Sequence, residues 1–159
     1  MRIISRLKNQ ANSGRVLGVD YGTRRVGFAI SDAMGIVATP LFTRDVLSET
    51  EAARVVAEVA EEKGAVRVVV GIPLNMDGTK GPMALQVEAF LKRLRDRGLA
   101  VEVWDERLST GLVERMLVSA DVSRARRKEV RDKLAAQVIL QGYLDRHSPP
   151  GIEEASDTE

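Results

Sequence analysis

The apolar and polar positions along the chain predict most of its elements before any other property is considered. Arg15–Tyr21 and Arg25–Ser31 are short apolar-rich runs separated by Gly22-Thr23-Arg24, and a second turn at Met34-Gly35 leads into Ile36–Phe42. Runs of this length, broken by turn residues, read as an antiparallel meander. Ser48-Glu49-Thr50-Glu51 has the capping-box pattern, a serine followed three residues later by a glutamate. It opens a helix to about Lys63, with Ala52, Val55, Val56 and Val59 on one face and Gly64 as its stop. Val66–Val70 is almost continuously apolar, the pattern of a strand buried on both faces. Beyond the polar stretch Gly71–Gly81, Pro82 suits a first helical position, and that helix runs to Arg97 with Gly98 behind it. Ala100–Trp104 reads as a fifth strand and Thr110–Ser119 as a short helix. Ser123–Lys128 reads as a basic loop leading into a last helix that ends near Arg146.

The element order βββαβαβαα requires parallel strand pairs whose crossover helices cover the sheet. The leading meander adds antiparallel strands. The expected fold class is therefore α/β: a five-stranded mixed sheet, meander first and parallel strands after, with helices on both faces. This is the pattern of an RNase H-like domain, although other α/β folds share the order. A chain of 159 residues sets one domain as the expectation. Asn12-Ser13-Gly14 marks a loop before the first strand, and Ser148-Pro149-Pro150-Gly151 stops the last helix ahead of Glu153, Glu154, Asp157 and Glu159. Residues 1–14 are expected to be a flexible extension, 15–147 the folded domain, and 148–159 a disordered acidic tail.

Composition narrows the chemistry. There are 24 basic and 23 acidic residues, a formal charge of +1, so the average charge makes no case for a polyanionic or membrane partner. No run approaches the ~20 apolar residues of a membrane span. The N-terminus carries Arg2, Arg6 and Lys8 without an apolar signal core, so a cytoplasmic protein is expected. The absence of cysteine excludes disulfides, thiolate zinc sites and cysteine nucleophiles. The single histidine, His147, stands near the C-terminus, which argues against a Ser-His-Asp triad or a multi-histidine metal site. What remains is carboxylates, hydroxyls, amides, lysine and arginine.

Three acidic positions stand where an acid is costly. Asp20 lies in the apolar strand Val16–Tyr21, and burying a carboxylate needs a partner or a cation. Gly18 and Gly22 flank it at two-residue spacing, on the same face of the strand, and could leave room for an ion, a phosphate or water. The plainer reading is that Asp20 begins a turn. Asp105-Glu106-Arg107 ends the fifth strand, where α/β sheets usually bind ligands. Neighbouring strand residues point to opposite faces, so only one of Asp105 and Glu106 can join Asp20; the plainer reading is a helix entry. Asp132 has Ala136, Ile139 and Tyr143 at helical spacing, which puts it on or beside an apolar stripe, although a first-turn acid paired with Arg131 or Lys128 would be ordinary. Together the acids point to carboxylates from separate elements meeting at one sheet edge. With histidine and cysteine excluded, such a cluster suits the hard cations Mg²⁺ or Mn²⁺, which support phosphodiester hydrolysis.

The stretch Gly71–Gly81 offers backbone N–H groups, Asn75, Thr79 and Lys80 for a phosphate backbone, but lacks the Gly-Lys-Ser/Thr order of a Walker loop. Arg124, Arg126, Arg127, Lys128, Arg131 and Lys133 cluster near Asp132, and Arg24 and Arg25 follow Asp20. A basic patch beside an acid cluster suits a polyanion entering a metal site; a solvated basic face is the commoner meaning of such a run.

Four motifs resemble the YqgF (RuvX) family, which is related to Holliday-junction resolvases and regarded as pre-16S rRNA nucleases. They are Gly18–Asp32, Gly71–Thr79, Asp105–Thr110 and Asp132–Leu144, and they cover nearly all of 15–147 in the family's order. The resemblance implies an RNase H-like fold and a Mg²⁺- or Mn²⁺-dependent nuclease that matures the 5′ end of 16S rRNA. It makes Asp20, Glu106 and Asp132 the catalytic and metal-holding triad. Arg24, Arg25, Asn75, Lys80, Arg107, Ser109, Thr110, Arg126 and Arg127 are the candidate substrate contacts. Classical resolvases carry an acid after the fourth strand, where this chain has Gly71-Ile72-Pro73, so the second acid is assigned to the fifth strand. Precursor rRNA is the expected partner, with branched DNA as the alternative, no membrane, and a monomer or weak homodimer. Two other readings compete: a non-catalytic RNA-binding assembly module, and an actin-like ATPase suggested by Asp20-Tyr-Gly-Thr-Arg, for which one domain is half of what is needed.

Overall fold

The computed structural model describes residues 14–109 and 123–147, with the backbone alone over 128–133. Residues 1–13, the helix expected at 110–119 and the acidic tail lie outside the described residues. The elements are β1 (Arg15–Tyr21), β2 (Arg25–Ser31), β3 (Ala38–Asp45), α1 (Glu49–Glu62), β4 (Ala65–Ile72), α2 (Pro82–Asp96), β5 (Val101–Asp105), a 3₁₀ turn (Glu106–Leu108) and α3 (Arg124–Arg146). The sheet order is β3-β2-β1-β4-β5. β1 and β3 pair antiparallel with β2, while β4 pairs parallel with β1 and with β5. This is the five-stranded mixed sheet expected from the element order. Its topology brings the carboxyl ends of β1, β4 and β5 to one edge, together with the β1–β2 turn and the end of β3.

Alternation along the strands builds two cores. Leu17, Val19 and Tyr21 of β1, with Phe28, Val68 and Val70, face Val56 and Val59 of α1 and Phe90 and Leu94 of α2. Val16, Ala29, Val69 and Trp104 face Ala136, Ile139, Leu140, Tyr143 and Leu144 of α3. On this second face glycines let the helix rest on the sheet backbone. A Cβ on Gly18 would stand 2.7 Å from the Leu140 Cβ, and one on Gly71 would stand 2.5 Å from the Ile139 Cδ1. From the helix side, a Cβ on Gly142 would stand 2.7 Å from the Trp104 ring.

Several boundaries differ from the expectation, most of all in α3, β4 and β3. α3 begins at Arg124, so the supposed basic loop is its first turn, capped by Ser123 Oγ, which accepts from the Arg126 N–H at 3.3 Å. Arginines opposing the positive end of the helix dipole hid this start from the sequence pattern. β4 continues through Gly71 and Ile72, both buried. β3 starts at Ala38 and extends to Asp45, because pairing with β2 rather than hydrophobicity sets the limits of an edge strand.

Candidate active site

Asp20 is the second-last residue of β1 and shares its face with Gly18, toward α3. It is half-buried and pairs in register with Gly27 of β2. Glu106 opens the 3₁₀ turn after β5. Its Cγ would lie 3.0 Å from a Cβ on Gly71, so the glutamate reaches over the end of β4 toward the Asp20 strand. Burial, then the negative charge of Asp20 and more weakly that of Asp105, push the Glu106 carboxyl up to about 7. The two carboxylates therefore share one electrostatic environment.

Asp105 has a different task. Its carboxylate accepts from the Arg107 N–H at 3.0 Å and pairs with the guanidinium at 2.6 Å, which holds its pKa below the ordinary value. Arg107 also donates to the Met76 carbonyl at 3.1 Å, so it clamps the 73–81 loop to the end of β5. Of the two adjacent acids, Glu106 meets Asp20 and Asp105 organises the chain.

α3 crosses the sheet obliquely, with Ala136 beside Gly27 and Leu140 over Gly18. Asp132 is one turn before Ala136, toward the edge where Asp20 sits, and its side chain lies outside the described residues. At 1.5 Å of rise per residue, Arg126 and Arg127 are about 14–15 Å along the helix from Ala136. That places them on the first turn of the helix, on the N-terminal side of Asp132.

Other candidates are committed elsewhere, and some readings need correction. Ser109 is buried at 9% exposure, and its Oγ accepts from Trp104 Nε1 at 2.8 Å beneath α3. The space beside Gly18 is filled by Leu140, so this glycine serves helix packing rather than an ion. Gly22 donates its N–H to the Arg25 carbonyl at 2.9 Å in a turn that leaves no room for a Cβ. Lys80 pairs with Glu88 at 2.5 Å, and Arg25 with Asp45 at 2.9 Å. Asn75 donates through its side chain to Thr79 Oγ1 at 2.9 Å, and the turn closes at Gly78 with φ of 88°, so the loop is shaped by its own bonds. Thr110 lies outside the described residues.

The space beside Asp20 opens on its β2 side. A cleft of about 790 Å³ is lined by Asp20, Gly27 and Thr43 together with Arg24, Arg25, Asp45 and Leu47. Arg24 is exposed and makes no ion pair among the described residues. The sequence reading missed Leu47, Thr43 and the glycine seam under α3. Glycines inside apolar strands were the available signal for the seam.

Comparison with known proteins now adds identity to geometry. The family model described as "RuvX: Holliday junction resolvase" matches residues 14–146. A Myxococcus xanthus protein named "Putative pre-16S rRNA nuclease" is 46% identical over 144 residues, covering 90% of this chain and 95% of the relative. A Symbiobacterium thermophilum protein of the same name is 51% identical over 140 residues, covering 86% and 96%. Among solved structures, Thermus thermophilus RuvC in complex with a Holliday junction substrate aligns with a TM-score of 0.49 and 16% identity, over 82% of this chain and 93% of that one. The match over nearly the whole folded domain, at this level of identity to its relatives, means that the chain belongs to the RuvX family.

Proposed function

We propose that the protein is a metal-dependent nuclease that matures the 5′ end of precursor 16S rRNA. The observation that carries this reading is the Asp20–Glu106 pair at the carboxyl edge, on the face where α3 brings the Asp132 backbone. Two carboxylates that hold each other's charge unfavourably are a fit for a cation, and all-oxygen donors suit Mg²⁺ or Mn²⁺. Asp20, Glu106 and Asp132 would hold it. When bound, such a cation supplies Lewis acidity toward a phosphodiester oxygen and a lowered pKa for attacking water. The protein's own part is binding and orientation. Arg24 stands beside Asp20 to take a phosphate, while Arg126 and Arg127 extend the basic track along α3. The Arg107 clamp keeps the 73–81 loop shaped at the far side of the acids.

The names of the relatives support precursor rRNA as substrate; the family model's description supports branched DNA as the second reading. We place the protein in the cytoplasm as a monomer or weak homodimer. Among the described residues no helix is long and apolar enough to cross a membrane. The deciding experiment incubates wild type and Asp20→Asn with precursor 16S rRNA and with a four-way DNA junction, with and without Mn²⁺. The expected result is cleavage of the RNA by wild type with Mn²⁺ alone. Asp20→Asn cleaving at the wild-type rate would remove the assignment. Junction cleavage without RNA cleavage would select the second reading. Mutants that lose nothing in RNA binding or ribosome maturation would select a non-catalytic module.

A further inference from the structure

The β3–α1 connection presents an apolar side chain from a fixed backbone. Val46 is buried at 4% exposure, and its N–H donates to the Arg24 carbonyl at 2.9 Å, tying this segment to the β1–β2 turn. The N–H of Leu47 donates to Glu51 Oε2 at 3.2 Å, and Ser48 follows as the cap of α1. The Leu47 side chain is nevertheless 94% exposed. A hydrophobic residue just before a helix cap usually folds back on the fourth helical residue as a staple. Here that residue is Ala52, which is fully buried in the core, and Leu47 is left in solvent.

A lone exposed leucine is ordinary. This one lines the 790 Å³ cleft that begins at Asp20, together with Arg24, Thr43 and the Arg25–Asp45 ion pair. The cleft falls within the ~300–1,000 Å³ typical of small-ligand sites. It combines a cation without an ion pair among the described residues, an exposed threonine and an apolar lip, all within one open space reaching a carboxylate. A nucleotide has matching parts: an anionic phosphate, a hydroxylated sugar and a flat apolar base face.

We infer that this cleft seats one unstacked nucleotide of a single strand, next to the scissile phosphodiester, with Leu47 packed on its base and Arg24 on its phosphate. The position relative to the scissile bond rests on the nuclease reading above; the seating of a base does not. A base inside a duplex has both faces covered, so the cleft selects single-stranded or frayed nucleic acid. Contact with a base face reads no base edge, so the preference for sequence is weak.

The test uses single-stranded RNA oligonucleotides in which one abasic nucleotide is moved along the chain. Binding is read by fluorescence anisotropy with Mn²⁺, in the Asp20→Asn background so that the RNA survives. With Leu47 present, one abasic position weakens binding roughly fivefold, the scale of one buried aliphatic contact. Leu47→Ala weakens the intact oligonucleotide by the same factor and abolishes the penalty at that position, while Leu47→Met restores it. An abasic penalty unchanged by Leu47→Ala, or no measurable binding of single strands, overturns the inference. Cleavage by the Asp20-intact protein separates the two readings. Coupling between Leu47 and the abasic position without any cleavage leaves the cleft assigned and removes the nuclease. Cleavage with a KM unmoved by Leu47→Ala removes the cleft assignment and leaves the nuclease.

Discussion

Burial and the neighbouring charge of Asp20 push the Glu106 carboxyl up to about 7. Its folded pKa lies above the unfolded value near 4.5, so the native state holds the extra proton between those limits. The associated stability is fully present below about pH 4.5 and is lost as pH rises through about 7, an effect on the order of 3 kcal/mol. Denaturant unfolding in EDTA at pH 5 and pH 8 should show this decline in wild type and a flatter profile in Glu106→Gln. Asp20→Asn removes the neighbouring charge, so an NMR titration of the Glu106 carboxyl should move down toward its ordinary value. A Glu106 titration unmoved by Asp20→Asn would separate the two acids. The same proton would compete with the proposed cation, so Mn²⁺ affinity measured by calorimetry should be weaker at pH 6 than at pH 8. At this scale the sequence made the candidate acids legible, because an acid in an apolar strand is conspicuous. Strand geometry left Asp105 and Glu106 open and only the family resemblance singled out Glu106; the structure adds that Arg107 turns back to hold Asp105. Nor could it show that the Ser109 hydroxyl is used by the Trp104 ring.

α3 carries Asp132 and rests directly on the sheet backbone, so under the proposed function its seating should tune the site. Gly18→Ala puts a Cβ 2.7 Å from the Leu140 Cβ and 3.0 Å from the Ala136 carbonyl oxygen. Overpacking of this kind should cost about 1–3 kcal/mol, read as a lowered denaturant midpoint. Cleavage should fall further than the folded fraction at the assay temperature, because the helix is displaced where it delivers Asp132. Activity that tracks the folded fraction alone would show that helix seating does not tune the site. Arg107→Ala should free the 73–81 loop, seen as faster hydrogen exchange around Met76 with little change in global melting. The start of α3 escaped the pattern because its first turn is basic. The number and order of the strands were plain, because apolar runs and turn residues are local signals; the ends of β3 and β4 were not, because pairing sets them.

The balanced charge of the whole molecule hides an uneven surface. With Lys80, Arg25 and Arg107 engaged by Glu88, Asp45 and Asp105, fewer cations face a substrate than the composition implies. If about three arginines contact phosphates, single-stranded RNA binding should weaken with salt at a log–log slope near −2. A slope several times steeper would mean that the paired cations exchange their partners for the RNA. The formal charge of +1 is thus a sum that conceals the arrangement. Taken alone, the sequence determined the element order, the mixed sheet and the restriction of the chemistry to oxygen and nitrogen donors. Those follow from local periodicity and from which side chains exist. Tertiary structure alone decided which acids meet and which glycines admit a helix. It also decided which cations are consumed by neighbours, and that the space beside Asp20 opens toward Leu47. These depend on crossings between strands and helices far apart in the chain, which local patterns do not encode.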